Sequence, residues 1–144
     1  MAILVVSLLL AACGRQDPRT DPRGLEGVDW VLDSDSTGSL VDPAPSDARV
    51  DIQFQDGELR GTSGCNTYGG PYEADGDGSI SFGAMSVTAM ACVEEPRMAL
   101  ESAYLQALGT VSGFQLTDAG LVLTGGAVAL TFTASSSSGA AVNE

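Results

Sequence analysis

The sequence predicts an α+β fold that is mainly β, a small antiparallel sheet with one helix packed across it. Three observations carry this. Apolar and polar residues alternate through most of the chain between residues 25 and 133, the period-two pattern of half-buried strands. Turn signals such as Asp56-Gly57 and the run DGDG at 75–78 punctuate that alternation. One segment alone, PRMALESAYLQAL from Pro96 to Leu108, spaces its apolar residues as a helix does.

The elements follow in order. Trp30 and Leu32 begin the alternation, and DSDSTGSLVDPAPSDAR then reads as a long polar loop in which Pro43 and Pro45 break any strand. Val50, Ile52 and Phe54 alternate with Asp51, Gln53 and Gln55, after which Asp56-Gly57 signals a hairpin and Leu59 starts the return strand. Tyr72 and Ala74 lead into the DGDG turn, and Ile80, Phe82, Met85 and Val87 resume the pattern. In the helix, Met98, Tyr104, Leu105 and Leu108 share a face, Pro96 suits the first turn, and Gly109 stands just past the end. Phe114 and Leu116, Leu121 and Leu123, and Val128, Leu130 and Phe132 form a three-stranded meander separated by DAG and GGA turns.

With 144 residues the chain has room for one domain and appendages, because single cores usually organise about 100–200 residues. At the N-terminus MAILVVSLLL is an apolar run, too short for the ~20 residues of a membrane-spanning helix. It leads into Leu10-Ala11-Ala12-Cys13, which resembles a bacterial lipobox. The expected organisation is a signal peptide over 1–12, a lipidated Cys13 at the head of a flexible tether over 13–24, a folded domain over 25–133 and a disordered tail over 134–144. No basic residue precedes the apolar run, which a true start further upstream would explain. The tether carries two Asp-Pro-Arg triplets and almost nothing apolar, and the tail is rich in serine and glycine, so neither builds a core. Lipidation would place the domain at the bacterial cell envelope, outside the cytoplasm and held to a membrane through Cys13.

Charge narrows the chemistry. Nineteen Asp and Glu face six arginines, with no lysine and no histidine, for a net charge of -13. Such a surface repels phosphate backbones, so no nucleic acid partner is expected. Without histidine the commonest general base, the Ser-His triad and most zinc sites are gone. A metal at Cys65 would want about four ligands and finds two separated cysteines, and a nucleophilic Cys65 would have only Arg60 and Arg97 to activate it. With Cys13 spent on lipid, an even pair remains, and an oxidising compartment favours a Cys65–Cys92 disulfide closing a 27-residue separation. Asp75 and Asp77 lack the further ligands of a calcium loop and read as a turn. Glu94 and Glu95 suit a helix N-terminus. The glycines of GTSGCNTYGG lack the GK[ST] of a phosphate cradle and read as tight turns. Trp30, Tyr68 and Tyr72 read as core or rim. No catalytic residue, metal or cofactor is expected.

Three motifs in order carry a resemblance over about residues 25–133: Gly64-Cys65-Asn66 followed by Tyr68, Gly70 and Tyr72; the T-x-M-A-C segment with Thr88, Met90, Ala91 and Cys92; and E-x-x-Y-L-x-x-L from Glu101 to Leu108. The chain thereby resembles the META domain family, the HslJ-like bacterial envelope proteins. The resemblance implies a small antiparallel sheet curved toward a barrel with one helix against it. It also implies that GCN and MAC lie on neighbouring strands or loops, near enough for the disulfide. The family is associated with envelope stress and with lipoprotein signals, and names a fold and a place rather than a reaction. The expected function is therefore non-enzymatic binding or stress-related support at the envelope, with an envelope protein or small ligand as partner. The alternatives are a barrel holding a small ligand, a protease inhibitor presenting the 33–49 loop, and a hydrolase using pairs from Asp75, Asp77, Glu94, Glu95 and Glu101.

Overall fold

The computed structural model describes residues 17–90 and 92–136. Nine strands form one antiparallel sheet: β1 Asp29–Leu32, β2 Val50–Gln55, β3 Glu58–Ser63, β4 Thr67–Ala74, β5 Ile80–Phe82, β6 Ser86–Val87, β7 Gly113–Thr117, β8 Gly120–Gly125 and β9 Val128–Ala134. Helix α1, Ser34–Leu40, follows β1, and helix α2, Glu95–Leu108, separates β6 from β7. The strand order is β5-β4-β3-β2-β1-β9-β8-β7, with β6 on the same edge of β4 as β5. The two ends of that order meet: Ile80 N donates to Ser112 O at 3.1 Å and Phe114 N to Gly78 O at 2.8 Å. The sheet is thus nearly closed into a barrel, which removes most of the unpaired edge an open sheet exposes.

The alternation read from the sequence sets the inward faces. Val50, Ile52 and Phe54 of β2, Leu59 of β3, Tyr68 and Tyr72 of β4, Leu121 and Leu123 of β8, and Leu130 and Phe132 of β9 are all buried, together with Leu100, Tyr104, Ala107 and Leu108 of α2. Asp56 and Gly57 both have positive φ, 53° and 78°, between Gln55 and Glu58, which pair across the hairpin. Only a primed two-residue turn uses that backbone, and it matches the twist of the strands it joins. The DAG and GGA turns close the β7–β8–β9 meander as expected.

Gly61 shows what the barrel's interior demands locally. A Cβ there would lie 2.0 Å from Asp51 O and 2.9 Å from the Tyr68 hydroxyl. Its absence lets Tyr68 reach over β3 and donate to Asp51 O on β2 at 2.9 Å. Gly61→Ala should therefore destabilise the domain by about 1–3 kcal/mol, toward the upper end because the clash is with backbone; urea unfolding of the variant measures this.

The sequence reading needs three corrections. There are two helices rather than one, since part of the expected 33–49 loop is α1. Asp33 caps it, its Oδ1 accepting from Ser36 N at 2.7 Å, and Thr37 and Ser39 hydroxyls bond back to the preceding turn. The rest of the segment is tied down as well: Thr131 N donates to Ser36 Oγ at 2.9 Å, and Asp47 pairs with Arg97 of α2. Second, residues 17–24 of the expected tether form two 3-10 turns over Pro18–Thr20 and Pro22–Gly24. In each Asp-Pro-Arg triplet the aspartate caps a turn that proline starts, and Thr20 Oγ1 donates to Gly76 O at 2.7 Å. Polar capping holds what burial could not. Third, Met98 stands 54% exposed, and Leu100 takes the core position. Cys13, the expected signal peptide and residues 137–144 of the expected tail lie outside the described residues, as does Ala91.

Candidate functional site

The three motifs converge on one hydrogen-bonded cluster where α2 crosses the turn between β3 and β4. At its centre Glu101 of α2 accepts three bonds, from Ser63 Oγ at 2.6 Å, Asn66 N at 2.8 Å and Asn66 Nδ2 at 2.8 Å. The side-chain Oδ1 of Asn66 faces the other way and accepts from Met90 N at 2.7 Å and Thr88 Oγ1 at 3.1 Å. Thr88 Oγ1 in turn accepts from Thr67 N at 3.1 Å. One buried asparagine thus ties the helix, the β3–β4 turn and the segment after β6. Burial works against the charge on Glu101, but the bonds from Ser63 and then Asn66 outweigh it, so its carboxyl titrates below the ordinary 4.5.

Around this cluster the chain is fastened covalently. Cys65 and Cys92 form a disulfide with their Cα atoms 6.0 Å apart, within the span such bonds require. Gly64 has φ +99°, a conformation that L side chains rarely adopt, and a Cβ there would meet Leu100 Cδ2 at 3.4 Å. Arg97 adds a further clasp, donating from Nη1 to Gly64 O at 3.2 Å and from Nε to Glu94 Oε2 at 2.8 Å.

Most of the other described motif residues are structural in their placement. Tyr68 and Tyr104 share a 2.6 Å hydroxyl contact in the core, and desolvation raises both phenols well above the ordinary range. Tyr72 donates to Glu26 Oε1 at 3.0 Å, and its phenol is pushed up to about 12, first by desolvation and then by that carboxylate. Gly70 lies under the Ala84–Met85 backbone, where a Cβ would come 2.7 Å from Ala84 O. Leu108 is fully buried. Met90 is the exception: its backbone serves Asn66, while its side chain stands 66% exposed.

The carboxylates considered as hydrolytic pairs fall into two groups, one on the β4–β5 turn and one on α2. Asp75 and Asp77 belong to the β4–β5 turn, where Asp77 accepts from Ser79 N and Oγ; Glu94 and Glu95 open α2, and Glu101 is engaged as described. Among the described residues no three His, Cys, Asp or Glu come together as a metal site, and no helix is long and apolar enough to cross a membrane. Ser63, which holds Glu101, was missed. Its signal was present: in β3 it follows Leu59 and Gly61 at period two, so it points inward, and a buried hydroxyl needs a partner.

Two surface features remain. An open groove of about 930 Å³ lies on the outer face of β2, β3 and β4. Its middle is one cross-strand row, Gln53, Arg60, Gly69 and Ser86. Arg60 is exposed and makes no ion pair among the described residues, unlike Arg23, Arg49 and Arg97. The second feature is an apolar flank between β6 and α2.

Residues 23–137 match the META domain family. The chain belongs to that family. Among solved structures this META domain is similar to a protein from Burkholderia xenovorans determined by NMR, with 28% identity, a TM-score of 0.61, and coverage of 94% of this chain and 99% of that one. A second NMR structure is similar at 23% identity and a TM-score of 0.62, covering 78% of this chain and 93% of the other. The latter likeness concerns the fold alone. None of the curated proteins matches the chain.

Proposed function

We propose that this META domain is a lipid-anchored protein of the bacterial cell envelope that works by binding a partner there, in a stress-related support role, and not by catalysis. The observation that carries the reading is the use made of the motif residues. Asn66, Thr88 and Glu101 bond to one another and to the backbone, and Cys65 is joined to Cys92, so the family signature is spent on holding α2 to the sheet. A carboxylate that already accepts three hydrogen bonds and is held charged is poorly suited to donate a proton as a general acid. The barrel interior is filled by large side chains, which directs binding to the outside. Cys13, in its lipobox-like setting, supplies the anchor.

A small polar ligand is the second reading, favoured by the groove around Arg60, and it would sit on the outer face rather than inside the barrel. The inhibitor reading is weakened because α1 and the Asp47–Arg97 pair hold the 33–49 segment against the body. Pull-down from intact envelopes, run with the full-length protein and a Cys13→Ala variant, tests the leading reading. The native protein should fractionate with membranes and retain an envelope partner that the variant loses. Equal fractionation of the two would overturn the anchor, and a partner set indifferent to Cys13 would overturn the site of action.

A further inference from the structure

All four large apolar side chains that stand exposed among the described residues, Val87, Met90, Val93 and Met98, fall between β6 and the first turns of α2. Scattered exposed apolar residues need no explanation, but a cluster of this kind marks an interaction surface. Two depressions run along it. One, of about 330 Å³, is lined by Phe82, Met85, Val87, Leu105 and Leu108 among others; the next, of about 470 Å³, holds Met90, Met98, Leu105 and the Cys65–Cys92 pair. Leu105 borders both, so the two adjoin as a two-part trench along α2.

The backbone beside this trench is a strand edge. β6 pairs with β4 on one side, Ser86 opposite Gly69 and Val87 opposite Tyr68. Thr88 N donates to Thr67 O at 3.0 Å. In an antiparallel ladder with that phase, Ser86 and Thr88 aim their backbone groups at β4, and Val87 aims its N–H and C=O the other way. Barrel closure does not reach this point, since β7 meets the β5 end of the strand only around Ser79 and Ile80. The chain as a whole is acidic, with a net charge of -13, and Glu95 in the first turn of α2 is exposed with no ion-pair partner among the described residues.

We propose that this flank takes an extended peptide segment of a partner, added as a strand along β6, with apolar side chains entering the two depressions and basic ones facing the acidic domain. The proposal rests on the reading that the domain works by binding. Strand addition draws its affinity from main-chain bonds and its selectivity from sockets for alternate side chains. Methionines suit such sockets because their flexible, polarizable side chains adapt to what enters. This also gives a task to the side chain of Met90, a motif residue that stands 66% exposed while its backbone serves Asn66.

The test is a titration of the oxidised, isotope-labelled chain with the synthetic peptide acetyl-KVKVKVK-amide, followed by amide shifts and calorimetry. Acetyl-EVEVEVE-amide and acetyl-KGKGKGK-amide serve as controls. Saturable binding of the first peptide is expected, with the largest shifts at Ser86 to Met90 and at Leu105. Met98→Asp and, separately, Met90→Asp should weaken it at least about tenfold, with urea midpoints unchanged because both side chains are exposed. The idea is overturned if the peptide fails to saturate, if KGKGKGK binds equally well, if the shifts lie elsewhere, or if both variants bind like the parent. Any of these would leave the envelope-binding reading standing, since that reading fails on the Cys13 comparison instead.

Discussion

Glu101→Ala should lower the stability of the domain by about 2–4 kcal/mol, read as the urea midpoint at neutral pH. The substitution removes one acceptor and leaves two donors of Asn66 facing a hole beside the sheet, while the Ser63 hydroxyl can turn to Asn66 O, 2.9 Å away. Ser63 and Asn66 are both buried, and each buried donor left unmade costs about 1–3 kcal/mol, less where water can enter. The same site predicts a pH dependence. Because the folded protein holds the Glu101 carboxyl below its ordinary 4.5, the charged form is favoured by folding, and its contribution is complete above that ordinary value. It is lost as pH falls through the folded-state value. Between pH 7 and about pH 3.5 the parent should therefore lose more stability than Glu101→Gln, whose amide does not titrate. Equal losses in the two proteins would remove Glu101 from the account of acid stability.

The second large effect belongs to the disulfide. Cys65→Ser with Cys92→Ser should destabilise the domain by about 3–4 kcal/mol, because the bond closes a separation of 27 residues and so restricts the unfolded chain. For a domain of this size that corresponds to a fall in Tm of roughly 10–20 °C. Reduction of the parent by a thiol should reproduce the fall in a calorimeter. A double variant that melts with the parent would show that the pair contributes no constraint the hydrogen-bonded cluster does not already supply.

How much of this was legible in the residues follows from the range over which each interaction acts. Strands were readable where one face is buried, as in Val50-Ile52-Phe54, since period-two alternation is a local signature. The Asp56-Gly57 turn was readable because its backbone excludes most residues. Helix α1 was not. Its sequence SDSTGSL has weak propensity and no apolar stripe, and it exists through the Asp33 cap and the bond from Thr131 N to Ser36 Oγ, which comes from 95 residues away. The ordered turns at 17–24 were missed for a related reason: capping by Asp17 and Asp21 acts without burial.

The candidate site divides the same way. Motif resemblance picked out Asn66, Thr88 and Glu101, but not that they bond to each other over separations of 22 and 35 residues. The disulfide could be argued from cysteine arithmetic, which needs no geometry. The trench beside β6 could not, because it depends on where barrel closure stops and on Met98 turning outward, and periodicity had placed Met98 with Tyr104 in the core.

The central claim is that the family signature is a fastening and not a reactive site, and one experiment meets it directly. A double-mutant cycle on Asn66→Ala and Glu101→Ala, followed by urea unfolding of the oxidised chain, measures how far the two residues act as one unit. The account predicts that each single variant is strongly destabilised and that the double variant is little worse than either, a coupling of at least about 1 kcal/mol. Single variants that unfold at the parent's urea midpoint would contradict it, and would return these residues to consideration as groups kept for chemistry.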